Sequence, residues 1–363
     1  MHFKKDDTLI SKGFAIIFLF CYHCFSNEER LAGKDILFSP FSKELGMKIS
    51  ESMNICVPMF AFLSVYGMAI LYTRYSQRDV RAGIKFSLRR YVSLIFSFLL
   101  PYIFCVTTSL FFNYCTYGEG RIEILGNGLL DFLGLSSLFN TPTMCGTWWY
   151  LSLAILMIFT FPIFFSLYKK FDALLIPITT IVMLMSITKI TNMNKFLLVI
   201  PLAIWCANED IFYKVREWGK EKKILNIVKR MLILAILFIL FYLRQSKWGR
   251  AYLPLVINSV IAMITIYVIY DIMENLKIMR SIFAFIGKHS SNMFFVHTFI
   301  RWIWFKDFTY SLKYAWVIVI FLMIVTIDIS IIIELIKSLL KFREKEEKIT
   351  SLINKAFPQK LAE

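Results

Sequence analysis

Apolar positions run along this chain in long unbroken blocks, separated by short polar or charged connections. Ten blocks stand out, at 8–26, 52–73, 91–113, 147–168, 173–189, 196–213, 231–244, 252–270, 281–304 and 314–337. Most approach the roughly 20 residues that a helix needs to cross the hydrocarbon of a bilayer. In hydrocarbon the backbone must satisfy its own hydrogen bonds, which a helix does within one segment. The pattern predicts an all-α, polytopic integral membrane protein with about ten transmembrane helices over residues 1–340, followed by a charged cytoplasmic tail at 341–363 that forms an exposed, fraying helix. No small-residue cleavage site follows the first block, so it is expected as a retained span rather than a leader. The longest outer connection, 114–146, carries its own apolar run from Gly128 to Phe139, suited to the interface or to re-entry.

Composition agrees: 58% of residues are apolar and 18% charged, with 36 Phe, 17 Tyr and 8 Trp. The net charge of +16 does not argue for nucleic acid, because the cations are sorted by connection. Arg74, Arg78, Arg81, Lys85, Arg89 and Arg90 crowd 74–90, and Lys214, Arg216, Lys220, Lys222, Lys223, Lys229 and Arg230 crowd 214–230. Lys169, Lys170, Lys277, Arg280 and the tail fall on the same side as Lys4 and Lys5 if there are ten spans. The connections 27–51, 114–146 and 305–313 are poorer in cations or balanced by acids, whereas Arg244, Lys247 and Arg250 break the pattern. The positive-inside rule then places both termini in the cytoplasm. Seven scattered cysteines give no metal-ligand spacing, so no metal is expected; a disulfide between Cys115 and Cys145 is left open.

The chemistry begins in the first block. It carries one lysine, Lys12, and one histidine, His23. Eleven helical steps put these side chains within roughly 20° of one face and about 16 Å apart along the axis. Ionisable groups inside a membrane span are costly and are functional candidates by default. Lys12 lies toward the cytoplasm and His23 toward the outer face. A histidine there suits general-base work on a poor nucleophile such as a hydroxyl. Asp328 is the most deeply placed acid of the last block, able to meet His23, Arg301 or a backbone donor.

Several segments together resemble a known family. The Lys12-x10-His23 span is similar to the Arg-x10-His first helix of the membrane-bound acyltransferase 3 family. Val57–Gly67 resembles its second helix, and Ser87–Leu94 with Pro101 and Tyr102 its arginine-rich third. Gly146–Leu153 (G-T-W-W-Y-L-S-L) resembles its W-x-L helix start, and Phe285–His297 its late G-K-x-S segment ending in histidine. Four positions depart from the pattern: Lys12 for arginine, Val65 for glycine, Ser93 for a further arginine and Ala154 for the glutamate of one subgroup. The last departure looks more like the integral polysaccharide acetyltransferases and leaves the acidic partner of His23 unassigned.

The resemblance implies transfer of an acetyl or other acyl group from cytoplasmic acyl-CoA to a hydroxyl of a cell-surface glycan or lipid-linked oligosaccharide, at the bacterial cytoplasmic membrane. Acetyl-CoA is then a donor substrate, and His23 either deprotonates the acceptor or carries the acyl group. Lys12, Arg89, Arg90, Lys288 and Ser290 are candidates for the CoA side. Lys12 could equally snorkel to headgroups, Arg89 and Arg90 could serve topology alone, and Lys288 and Ser290 could merely cap a helix. Trp149 and Tyr150, in an aromatic belt with Trp148, and His297 with Arg301, are candidates for binding the acceptor or for structural roles. The competing functions are a polysaccharide transporter or flippase, for which no internal repeat is visible, and an acyltransferase with a non-glycan acceptor.

Overall fold

The computed structural model describes residues 2–75, 79–186, 194–246 and 254–358. The cations Arg78, Lys247 and Arg250 lie outside the described residues. Long helices follow in the order α1 Lys5–Phe25, α2 Lys43–Ser52, α3 Cys56–Tyr72, α4 Val80–Phe111, α5 Arg121–Phe132, α6 Trp149–Phe171 and α7 Leu175–Ser186. They continue with α8 Val199–Asn208, α9 Ile211–Glu217, α10 Lys223–Gln245, α11 Pro254–Ile272, α12 Lys277–Thr298, α13 Ala315–Leu339 and α14 Phe342–Ala356. The described residues contain no β-strand beyond a single bridge between Leu37 and Tyr314. The fold is all-α, as the apolar blocks predict.

Among the described residues, seven helical segments are long and apolar enough to cross a membrane: Lys5–Phe25, Lys43–Tyr72, Val80–Phe111, Gly146–Met185, Lys223–Gln245, Val256–Asn275 and Ala315–Leu339. The difference from ten has local causes. The fourth and fifth blocks form one helical stretch, broken where Asp172 turns left-handed at φ 50° ahead of α7. The sixth block is shortened to ten residues in α8, because Asp210 (φ 53°) turns the chain before α9. The ninth block becomes α12, which carries Lys277, Arg280, Lys288 and two histidines.

The chain divides into two compact units. The first comprises Met1–Ala15, Asn54–Arg78 and Thr160–Lys288. Here α3 packs on α8 and α11, and α10 on α11. Phe3 is its aromatic hub, with edge contacts to Tyr66, Phe212 and Tyr270 at 5.1–5.2 Å. The start of α1 is tied to α12 by Asp7, whose carboxylate accepts from the Lys4 amide and pairs with Arg280 at 2.7 Å. The same crossing requires glycine: a Cβ on Gly13 would overlap the Phe283 carbonyl, and one on Gly287 would overlap the Leu9 carbonyl. Several cations of the 214–230 connection are structural. Lys229 donates to the carbonyls of Val215, Arg216 and Trp218 at 2.7–3.1 Å, and Arg230 pairs with Asp271 at 2.8 Å.

The second unit comprises Ile16–Met53, Asp79–Phe159 and His289–Glu363. In it α4 receives α13 and α14. The charged tail is thus a helix docked along α4, with Phe342 edge-on to Phe96 at 5.9 Å. The connection 114–146 is organised by Asp131, which accepts from the Tyr117 hydroxyl, the Thr143 hydroxyl and the Met144 amide at 2.7–2.9 Å. Burial pushes that carboxyl up, and these three donors oppose the shift. On α5, Ile122, Leu125 and Leu129 remain exposed on one face, the pattern of a helix lying in an interface. Cys115 and Cys145 are free thiols.

Candidate active site

His23 sits in the last turn of α1, where a helix leaves four carbonyls without intrahelical partners. Two side chains fill that need. Arg30, from the short turn Glu28–Leu31, donates to the carbonyls of Tyr22 (3.3 Å) and His23 (3.0 Å) and to the Ser26 hydroxyl. Tyr310 donates to the Cys24 carbonyl at 3.2 Å and in turn accepts from Arg301 at 3.1 Å. The end of α1 is therefore clamped from two sides, which fixes the backbone that carries His23.

That ring faces a second histidine. The His23 and His297 centroids are 5.1 Å apart, and Phe20 lies 5.4 Å from His297. The two histidines are not equivalent. His297 is wholly buried, with Nδ1 2.7 Å from the Phe294 carbonyl and Nε2 3.1 Å from the Thr298 hydroxyl. A carbonyl only accepts, so Nδ1 carries the proton and Nε2 receives the Thr298 O–H. Both ring nitrogens of His297 are occupied in the neutral form. His23 is half-buried, and its ring makes no hydrogen bond among the described residues. Of the pair, His23 is the one able to take a proton from an incoming group.

The wall behind His297 comes from the G-T-W-W turn. Thr147 reaches the Thr298 hydroxyl at 3.4 Å, and the Trp148 indole donates to the Phe295 carbonyl at 3.2 Å. Trp148 is the buried, structural tryptophan, packed on Phe98, Tyr102 and Phe299. Tyr150 contacts Phe294 at 5.5 Å, and Phe294 in turn contacts His297 at 6.1 Å. Trp149 is half-buried beside Tyr150 at 6.2 Å. After Thr298 the helix widens into a π-turn, Phe299–Trp304, a form common at functional sites. Arg301 lies within it, 4% exposed.

One candidate stands apart from the others. Asp328 is exposed on α13 and bonds to neither His23 nor Arg301, so it gives no support to a catalytic role. The reason is rotational: buried Thr326 and Ser330 each lie two residues from Asp328, about 200° around the helix. The acid that α13 turns toward α12 is Glu334. It accepts from Asn292 at 2.9 Å and pairs with Lys337 at 2.8 Å, while Ser330 meets both His289 and Asn292. This polar network was not legible from spacing alone, because Ser330, Asn292 and His289 look like ordinary small or polar residues in apolar blocks.

The candidates for the CoA side fall in both units. Lys12 is half-buried on α1 in the first, and Lys288 is exposed on α12 there. In the second, Ser290 is buried on α12, and Arg89 and Arg90 are half-buried on α4. Residues that the sequence did not single out are Arg30, Lys34, Thr298, Trp302 and Tyr310. Arg30 and Lys34 sit among Glu28, Glu29 and Asp35, which made that connection look balanced.

No curated protein and no solved structure matches the chain. A family model described as an acyltransferase domain, Acyl_transf_3, matches residues 10–335, a span containing His23, the G-T-W-W turn, His297, Arg301 and Asp328. This protein belongs to the acyltransferase 3 family and is a membrane acyltransferase.

Proposed function

We propose that the protein transfers an acetyl group from cytoplasmic acetyl-CoA to a hydroxyl of a cell-surface or lipid-linked glycan, at the bacterial cytoplasmic membrane and with both termini inside. The observation that carries this reading is the asymmetric histidine pair. His297 has both nitrogens engaged, whereas His23 is half-buried and its ring makes no hydrogen bond among the described residues. In the direct route, His23 takes the acceptor hydroxyl proton as that oxygen attacks the thioester carbonyl. The C–S bond then breaks, and the proton returns from His23 to the departing CoA sulfur. In the covalent route the His23 ring nitrogen attacks the thioester carbonyl and the C–S bond breaks to release the CoA thiolate. The acceptor hydroxyl then takes the acetyl group, the C–N bond to His23 breaks and the hydroxyl proton passes to the thiolate. Tyr150, Trp149 and Arg301 are proposed to hold the acceptor. Lys12, Arg89, Arg90, Lys288 and Ser290 are proposed for the donor, each on the strength of its own motif.

Membership in an acyltransferase family favours this reading over the transporter or flippase that the sequence alone left open. The test is CoA release from acetyl-CoA by the purified protein in lipid nanodiscs, with and without a hydroxyl acceptor. Acceptor-dependent release by the wild type supports the reading. Its absence from His23→Ala, in protein that inserts normally, assigns the step to His23.

A further inference from the structure

Three cations gather around two aromatic rings beside the end of α1, with Arg30 as a fourth nearby, and no carboxylate pairs with any of them among the described residues. Lys34 Nζ lies 3.5 Å from the Tyr310 ring centroid and 4.9 Å from that of Trp302. Lys306 Nζ lies 4.0 Å from the Trp302 centroid, and the Arg301 guanidinium 5.4 Å from it. Arg30 completes the group at the His23 carbonyl. Two of the charged nitrogens, Lys34 Nζ and Arg301 Nε, are buried without a hydrogen-bond partner.

The nearby acids form no ion pair with these cations. Glu29 accepts from Asn27, Asp35 lies 3.9 Å from Lys313, and Asp307 is exposed. Ring faces offset part of the cost of buried cations. They do not remove the mutual repulsion, nor do they satisfy the orphaned N–H groups. A group with negative charge and several acceptor oxygens would do both.

We infer that the acceptor carries an anionic group, a carboxylate or phosphate on the glycan, which is seated against Lys34, Arg301 and Lys306 and so brings a neighbouring hydroxyl to His23. This specificity rests on the transferase reading for its purpose, but the binding it requires can be measured without turnover.

The experiment is calorimetric titration of the full-length protein in phosphatidylcholine nanodiscs with three probes: trigalacturonate, its carboxyl-reduced neutral counterpart and a glycerol-phosphate trimer. One of the two anionic probes should bind at least about tenfold more tightly than the neutral one at low salt, with the advantage shrinking as salt rises. Which anion it is identifies the group. Lys34→Gln and, separately, Lys306→Gln should lose most of that advantage, and Lys34→Arg should keep it. Equal binding of all three probes, no binding of any, or discrimination that survives both glutamine variants overturns the inference. If phosphatidylglycerol nanodiscs abolish the discrimination, the cations hold a lipid headgroup and the inference also falls. CoA release separates this outcome from the activity. Salt-sensitive, Lys34-dependent binding without transfer would leave the anion site standing and remove the transferase reading, whereas transfer to the neutral trimer alone would do the reverse.

Discussion

At the residue scale, function rests on which side chains are already engaged. His297 is fixed by the Phe294 carbonyl and Thr298, so replacing it disturbs packing as well as chemistry. His23 is held by its backbone, through Arg30 on its carbonyl and Tyr310 on the next, and its ring makes no hydrogen bond among the described residues. Burial pushes the Tyr310 hydroxyl up to about 12, which keeps its proton in place to donate to Cys24. Lys34 moves the other way. Burial first, then the neighbouring Lys306 and Arg301, lowers it to about 8, and exposed Asp307 only partly opposes this. A lysine lowered to that value is charged below it and loses its proton as pH rises through it. Affinity for an anionic probe should therefore fall between pH 7 and pH 9. In Lys34→Arg the fall should disappear, since a guanidinium stays protonated throughout; a pH-independent wild type would exclude Lys34 from the site. Asp328, exposed and unbonded, should be dispensable: Asp328→Asn should keep acetyl transfer within about twofold of wild type, as read by CoA release.

At the element scale, the sequence revealed the helices and missed how two of them meet. The apolar blocks located the helices because burial in lipid selects long runs of Leu, Ile and Phe regardless of partner. The crossing of α1 and α12 depends instead on Gly13 and Gly287, which carry no pattern that periodicity detects. A Cβ at Gly287 meets backbone, which cannot swing aside as a side chain could. Gly287→Ala should cost on the order of 1–3 kcal/mol, seen as a lower melting temperature of the detergent-solubilised protein. An unchanged melting temperature would mean the two helices are not in close contact there. Likewise, Asp328 was conspicuous as a charge in an apolar run, while the polar contacts of α13 run through Ser330 and Glu334 two and six residues on. Depth in a block can be read from sequence; azimuth around the helix needs its neighbours.

At the scale of the whole molecule, charge sorting was legible but its meaning was mixed. The connection 214–230 reads as cytoplasmic by its cations, yet Lys229 and Arg230 also hold carbonyls and Asp271. Conversely, the connection 27–51 looked balanced, and its acids and cations separate only on folding. That is why Lys12 and His23 were visible from spacing, whereas Arg30 and Lys34 were not. The proposed sidedness has a direct check in a background with all seven cysteines replaced. A cysteine at exposed Lys222 should resist an impermeant thiol reagent in intact cells, and one at exposed Arg121 should react. The reverse labelling would put His23 at the donor face.

On the proposed function, His23 makes this membrane acyltransferase an O-acetylating enzyme of a surface glycan. The most direct measurement is proton NMR of the host's surface glycan from cells carrying the wild type or His23→Ala at equal membrane abundance. The account predicts O-acetyl signals with the wild type and their loss with the variant, since removing a positioned base lowers the rate by roughly 10²–10⁴, while the polymer itself persists. O-acetyl signals undiminished in the variant, or a glycan that carries none in either strain, would contradict it.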